Sequence, residues 1–151
     1  MNIEEKMMEA IKQILSSNPN CALVGGNSFL LQKKKIRRQP VDIDIYCPDG
    51  VFNIIPGMSM PKIDVAKEKE DGYNEEDDNS IDTRKCYSFD GFKVDVFVPV
   101  NTDQKQSIIK VNGIKCCRVH DTIKAKLSYF EAGGKSKSKH RLDIMYYLLM
   151  N

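Results

Sequence analysis

The chain has 151 residues, enough for one domain with a real core, and we expect 1–151 to form a single domain. Lys and Arg number 23 against 21 Asp and Glu, a formal net charge of +2, so total charge alone predicts no nucleic-acid partner and the distribution of charge must be read instead. No apolar run approaches the ~20 residues that cross a bilayer, which excludes a membrane span from the expectation. The five cysteines lack metal-type spacing and sit in apolar contexts, as buried free thiols of a reducing cytoplasm do.

Asn2 to Ser17 predicts an amphipathic helix. Asn2 and Glu5 stand at capping-box spacing, and Ile3, Met7, Ala10, Ile11 and Ile14 recur on one face. Ser17-Asn18-Pro19-Asn20 stops it. Cys21 to Val24 predicts a strand that ends at Gly25-Gly26, where the backbone can turn sharply and approach a ligand. A helix is expected over Asn27 to Lys35, with its N-terminus open to phosphate. Ser28 is placed to donate to a phosphate oxygen; equally, Ser28 or Asn27 caps the helix. The run Lys33-Lys34-Lys35-Ile36-Arg37-Arg38 is either a solvated face or a means of steering triphosphate or an RNA backbone.

Val41 to Tyr46 predicts a second strand. Asp42 and Asp44 are two apart and project from one face, a pair of repelling carboxylates that a hard divalent cation such as Mg²⁺ would reconcile. Phosphate at the glycines and metal at the aspartates suggest a nucleotide site. Residues 51 to 82 predict a short helix or turn, then a strand near Ile63 to Ala66, then an exposed acidic loop from Glu68 to Asp82.

Asp90-Gly91 and Asn112-Gly113 each lie between alternating apolar runs and predict hairpins over Arg84 to Val98 and Ser107 to Val119. Asp95 sits on the second arm of the first hairpin, sharing its face with Lys93 and Phe97, and can lie beside Asp42 and Asp44. A helix opens at His120-Asp121-Thr122, capped by Asp121 or Thr122, with Ile123, Leu127 and Phe130 or Glu131 at helical spacing. Lys135 to Arg141 predicts a basic loop before a last helix whose apolar face is Leu142, Met145, Tyr146, Leu148 and Leu149. Lys139 and Asp143 are four apart and share a face.

The order of Gly25-Gly26, Ser28, Asp42, Asp44 and Asp95 resembles the minimal nucleotidyltransferase superfamily, the polymerase-beta-like fold, and within it most resembles the AbiEii-type toxins of abortive-infection systems. The family's Arg-x-Ser/Thr-x-Asp-hydrophobic-Asp reads Arg38-Gln39-Pro40-Val41-Asp42-Ile43-Asp44, with proline in place of the hydroxyl residue. Its Lys-Asp-x-x-Asp-like helix start reads Lys139-His140-Arg141-Leu142-Asp143, with His140 in place of the first aspartate.

The resemblance implies an α/β (α+β) domain: a mixed sheet, helices packed on it and a C-terminal helical pair. It implies a cytoplasmic, metal-dependent transferase moving an NMP from an NTP to an acceptor hydroxyl. Asp42, Asp44 and Asp95 would be catalytic and hold two Mg²⁺ or Mn²⁺ ions. Gly25, Gly26, Ser28, Arg38, Lys126 (or Lys124), Lys139 and Asp143 would bind the nucleotide. The acceptor would be an RNA (tRNA) end or a protein, with a cognate antitoxin as a further partner. An antibiotic nucleotidyltransferase is the alternative enzyme. A catalytically silent domain that binds a nucleotide or partner protein is the alternative outside enzymes.

Overall fold

The computed structural model describes residues 1–60, 84–100, 102–132 and 137–151. The strand expected near residue 63 and the acidic loop 68–82 lie outside the described residues. Among the described residues the fold is mixed α/β: a six-stranded open sheet with four α-helices. Helix α1 spans Ile3–Ser16; the Asn2 side chain accepts from the Glu5 backbone N–H at 2.8 Å, as the capping box predicts. Met7, Ala10, Ile11 and Ile14 form its buried stripe, but Ile3, in the first turn, is exposed.

Strand β1 (Ala22–Val24) runs into helix α2 (Gly26–Leu31), followed by β2 (Ile43–Tyr46), β3 (Arg84–Phe89), β4 (Phe92–Phe97), β5 (Ile108–Val111), β6 (Ile114–Cys117), α3 (Val119–Ala132) and α4 (Lys137–Met150). The strand order is β3-β4-β2-β1-β6-β5. β1 pairs antiparallel with β2 and parallel with β6; β2 pairs parallel with β4. Both predicted hairpins form, with Asp90 and Gly91 at φ 52° and 83°, and Asn112 and Gly113 at φ 52° and 79°. Consecutive left-handed residues match the twist of the flanking strands.

Alternation along the strands splits the core in two. Leu23, Ile43, Ile45, Val94, Val96 and Cys116 face α1 and build the main core. Ala22, Val24, Tyr46 and Cys117 face the opposite way, with Phe97 packed on them. On that second side Phe29 of α2, Val119 and Ile123 of α3, and Ile144 of α4 form their own small core. All five cysteines are free. Among the described residues, no helix is long and apolar enough to cross a membrane.

Several boundaries differ from expectation. α2 ends at Leu31 because Lys33 adopts φ 60° and the Lys34 N–H turns back to the Phe29 carbonyl. The basic run therefore lies beyond the helix, leading to β2. α3 begins at Val119, so Asp121 and Thr122 lie in its first turn, not at the cap. Leu127 is exposed there and Ala125 is buried. α4 begins at Lys137, so part of the expected basic loop is helical. Most of its expected apolar face is turned outward: Leu142, Met145, Leu148 and Leu149 are exposed, whereas Tyr146 of that face is half-buried at the cleft and Ile144 is buried.

Candidate active site

One cleft of about 630 Å³ opens between the second face of the sheet and the α3–α4 pair. Its sheet wall carries Val24, Asp44, Tyr46, Asp95 and Phe97. Its helical wall carries Thr122, Ala125 and Lys126 of α3 with Asp143, Tyr146 and Tyr147 of α4. Gly25, Gly26 and the segment Lys35 to Asp42 close one end.

Strand register sets the carboxylates. Asp44 and Asp95 are partners across parallel β2 and β4, and Val24 partners Asp44 across β1. Paired residues of neighbouring strands point to one face, so Asp44 and Asp95 stand side by side. Asp42 precedes β2 in a bend, not within the strand as expected, yet lines the same cleft. The Asn27 side chain donates to the Asp42 carbonyl at 3.0 Å and so ties this bend to the start of α2. That role of Asn27 was not apparent from the sequence; a buried Asn after a glycine pair was its only sign.

Gly25 caps α2 at φ 76°, ψ −155°, a region essentially closed to other residues. A Cβ there would lie 2.5 Å from Asp44 Oδ2. The glycine is thus needed twice, for the turn and for the room the Asp44 carboxylate fills. At Gly26 a Cβ would meet the Pro40 side chain at 3.2 Å.

Asp95 is 5% exposed and heavily engaged. Its Oδ1 lies 3.3 Å from Arg84 Nη2 and accepts from Cys86 Sγ at 2.9 Å; its Oδ2 lies 3.5 Å from Lys93 Nζ. Burial, and then the neighbouring carboxylate, push the Cys86 thiol up to about 12, so it stays protonated. Asp95 is therefore a buried carboxylate paired with cations of its own strand neighbours, Arg84 on β3 and Lys93 on β4.

Opposite the sheet, Asp143 gathers three cations. Arg37 Nη2 lies 2.9 Å from Oδ1; Arg38 Nη2 and Lys126 Nζ each lie 3.4 Å from Oδ2. Burial raises the Asp143 carboxyl, but Lys126, Arg37 and Arg38 together outweigh it and hold the group below its usual range. Arg38, Lys126 and Asp143 were all expected at the nucleotide, and the structure brings them together. Arg37 joins them although only its place in the basic run pointed to it. Lys139 lies in the first turn of α4, but its side chain lies outside the described residues.

Ser28 is a correction. It is fully buried, donates to the Cys117 carbonyl at 3.1 Å and accepts from Gln32 Nε2 at 2.9 Å. Its hydroxyl fastens α2 to β6 and does not face the cleft. Neither Ser28 nor Asn27 caps α2, whose cap residue is Gly25.

Six basic side chains line the cleft against four carboxylates, so it favours an anionic ligand. Among the described residues, no group of three or more His, Cys, Asp or Glu side chains is set to hold a metal ion. Asp42 and Asp44 both line the cleft as hard oxygen donors, a set that suits Mg²⁺, which takes one or two carboxylates and completes its shell with water and substrate phosphate. Comparison of the chain with protein-family models, with curated proteins and with solved structures gives no match.

Proposed function

We propose that the chain binds a nucleoside triphosphate in this cleft and transfers its nucleotidyl group to an acceptor hydroxyl. The observation that supports this best is that Asp42 and Asp44 share one cleft with the Arg37, Arg38 and Lys126 cluster. Carboxylates suit a divalent cation and the cluster suits a polyphosphate; a nucleoside triphosphate with its cation needs both. The resemblance to minimal nucleotidyltransferases, carried by Gly25-Gly26, Asp42-Ile43-Asp44 and Asp95, agrees with that chemistry.

In this reading Asp42 and Asp44 hold Mg²⁺. When bound, the ion would neutralise phosphate charge and lower the cost of activating the acceptor hydroxyl. Arg37 and Arg38 present planar guanidinium groups that match phosphate oxygens, and Lys126 adds a point charge. Asp143 holds these three in place before the ligand arrives, which limits the ordering cost of binding. Gly25 keeps the backbone clear of the Asp44 carboxylate, and Gly26 keeps the turn open. Asp95, paired with Arg84 and Lys93, brings those two cations to the cleft wall beside Asp44.

The acceptor proposed is an RNA end, reached through the exposed part of the basic run. A protein hydroxyl or a small antibiotic is the alternative acceptor; a nucleotide-binding domain without transfer is the alternative outside enzymes. Incubation with each labelled NTP, Mg²⁺ and either total RNA, lysate protein or an aminoglycoside separates these. Label on RNA is the expected result. Label on protein or antibiotic reassigns the acceptor, and binding without label transfer refutes the transferase.

A further inference from the structure

Two residues along the strands from the paired carboxylates Asp44 and Asp95 lies a second pair, Tyr46 and Phe97, in register on the same face. A strand rises about 3.3 Å per residue, which sets these rings about 7 Å from the carboxylates. Tyr46 and Phe97 both line the cleft, as do Val98 and Pro99 just beyond. Tyr46 is buried and held: its hydroxyl accepts from the Gln106 backbone N–H at 3.0 Å. Phe97 is half-buried, packs on the Ala22, Val24, Tyr46 and Cys117 cluster and lines the cleft.

The Gln106 side chain also lines the cleft. Its Oε1 lies 2.6 Å from the hydroxyl of Thr122, buried in α3, a separation that suits O–H···O rather than N–H···O, so the hydroxyl donates here in preference to the Arg118 carbonyl at 3.4 Å. With the oxygen taken, the amide presents its –NH₂, and among the described residues that Nε2 has no acceptor. Beside it, Gln104 is oriented without ambiguity, because its Oε1 accepts from the Val100 backbone N–H, which can only donate. This wall therefore combines an aromatic surface with an amide whose oxygen is engaged and whose –NH₂ is left to donate.

We propose that Phe97 and Gln106 form the nucleobase seat and select bases that carry an exocyclic carbonyl over adenine, which carries none. The proposal rests on the nucleotide reading above and names the base class for the same cleft. Phe97 stacks on the base, and the Gln106 –NH₂ donates to its carbonyl oxygen. Thr122 is a positioning residue that keeps the amide from turning over.

Calorimetry with Mg²⁺ present tests this, using UTP, GTP, CTP and ATP, with inorganic tripolyphosphate as the probe of the phosphate site alone. ATP should bind most weakly, below UTP by about threefold to tenfold, the scale of one neutral hydrogen bond. Gln106→Leu should bring the UTP to ATP ratio close to one and leave tripolyphosphate affinity unchanged. Gln106→Glu, nearly the same shape but accepting only, should reverse the order, because it repels a carbonyl and accepts from the adenine amine. Thr122→Val should blunt the wild-type preference. Equal binding of UTP and ATP by wild type, or a preference that survives Gln106→Leu, overturns the base seat while tripolyphosphate binding leaves the nucleotide reading standing. If neither tripolyphosphate nor any NTP binds, both fall.

Discussion

Gly25→Ala is the sharpest test of how this cleft is built. At φ 76°, ψ −155° the backbone occupies a region that costs an L-residue about 1–3 kcal/mol. The added Cβ would also lie 2.5 Å from Asp44 Oδ2 and 3.3 Å from Asp44 Cβ. No rotation of alanine relieves that contact, so Asp44 or the turn must move, which we put at about 1–3 kcal/mol more by analogy with overpacking. Together these give about 2–6 kcal/mol, against total stabilities of about 5–15 kcal/mol for ordinary domains. At about 2–4 °C per kcal/mol for a domain of this size, the melting temperature should fall by about 4–24 °C.

The measurement is thermal unfolding followed by circular dichroism, with Mg²⁺-dependent NTP binding on the same samples. Asp44→Ala separates the two contributions, because it removes Oδ2 but not the backbone strain. Gly25→Ala should cost less in that background than in wild type by about 1–2 kcal/mol. A Gly25→Ala protein that melts within about 2 °C of wild type and binds NTP normally would refute both the strain and the contact.

Asp42→Asn and Asp44→Asn should each abolish Mg²⁺-dependent nucleotidyl transfer with the circular dichroism spectrum retained; transfer at the wild-type rate by both would sink the metal assignment. Asp143→Asn should destabilise the fold by about 1–3 kcal/mol at neutral pH, between an exposed and a buried ion pair. Because the folded Asp143 carboxyl is held below its unfolded value near ~3.9, its contribution is fully present above that pH and is lost as pH falls through the lower folded value. Wild type and Asp143→Asn should therefore converge in melting temperature in strong acid, and a gap that persists there contradicts the pairing. Gly26→Val should weaken NTP binding by driving into Pro40, with little change in helix content. Replacing Lys33 and Lys34, which do not line the cleft, by Gln should lower the salt dependence of RNA binding by roughly one to two counterions and leave NTP affinity nearly unchanged; an unaltered salt slope removes this run from the RNA path.

Much of this fold was legible because short-range chemistry dictates it. The α1 cap, both Asx-Gly hairpins and the alternation in Phe92–Phe97 are settled by residues within a few positions of one another. The side-by-side placement of Asp44 and Asp95 is different, since it depends on β2 pairing parallel with β4 across a long intervening segment. Composition allowed that pairing but did not require it. Ser28 was misplaced for a related reason. A hydroxyl after two glycines suits a phosphate, yet a bond to Cys117, 89 positions away, took it inward. Nothing local could reveal that the β6 carbonyl would need a donor there.

The last helix shows why pattern and function part company at a site. By hydrophobicity alone, α4 should bury Leu142, Met145, Leu148 and Leu149. It instead turns Asp143, Tyr146 and Tyr147 toward the cleft and keeps Ile144 as its buried anchor. Three cations on Arg37, Arg38 and Lys126 converge where α4 docks, and they need a carboxylate more than they tolerate a leucine. Asp143 and Ile144 both lie on the inward face of α4, and that orientation carries Tyr146 and Tyr147 into the cleft with them. Local rules fail on α4 where its polar residues are required inside, which is what a binding wall made from a helix face demands.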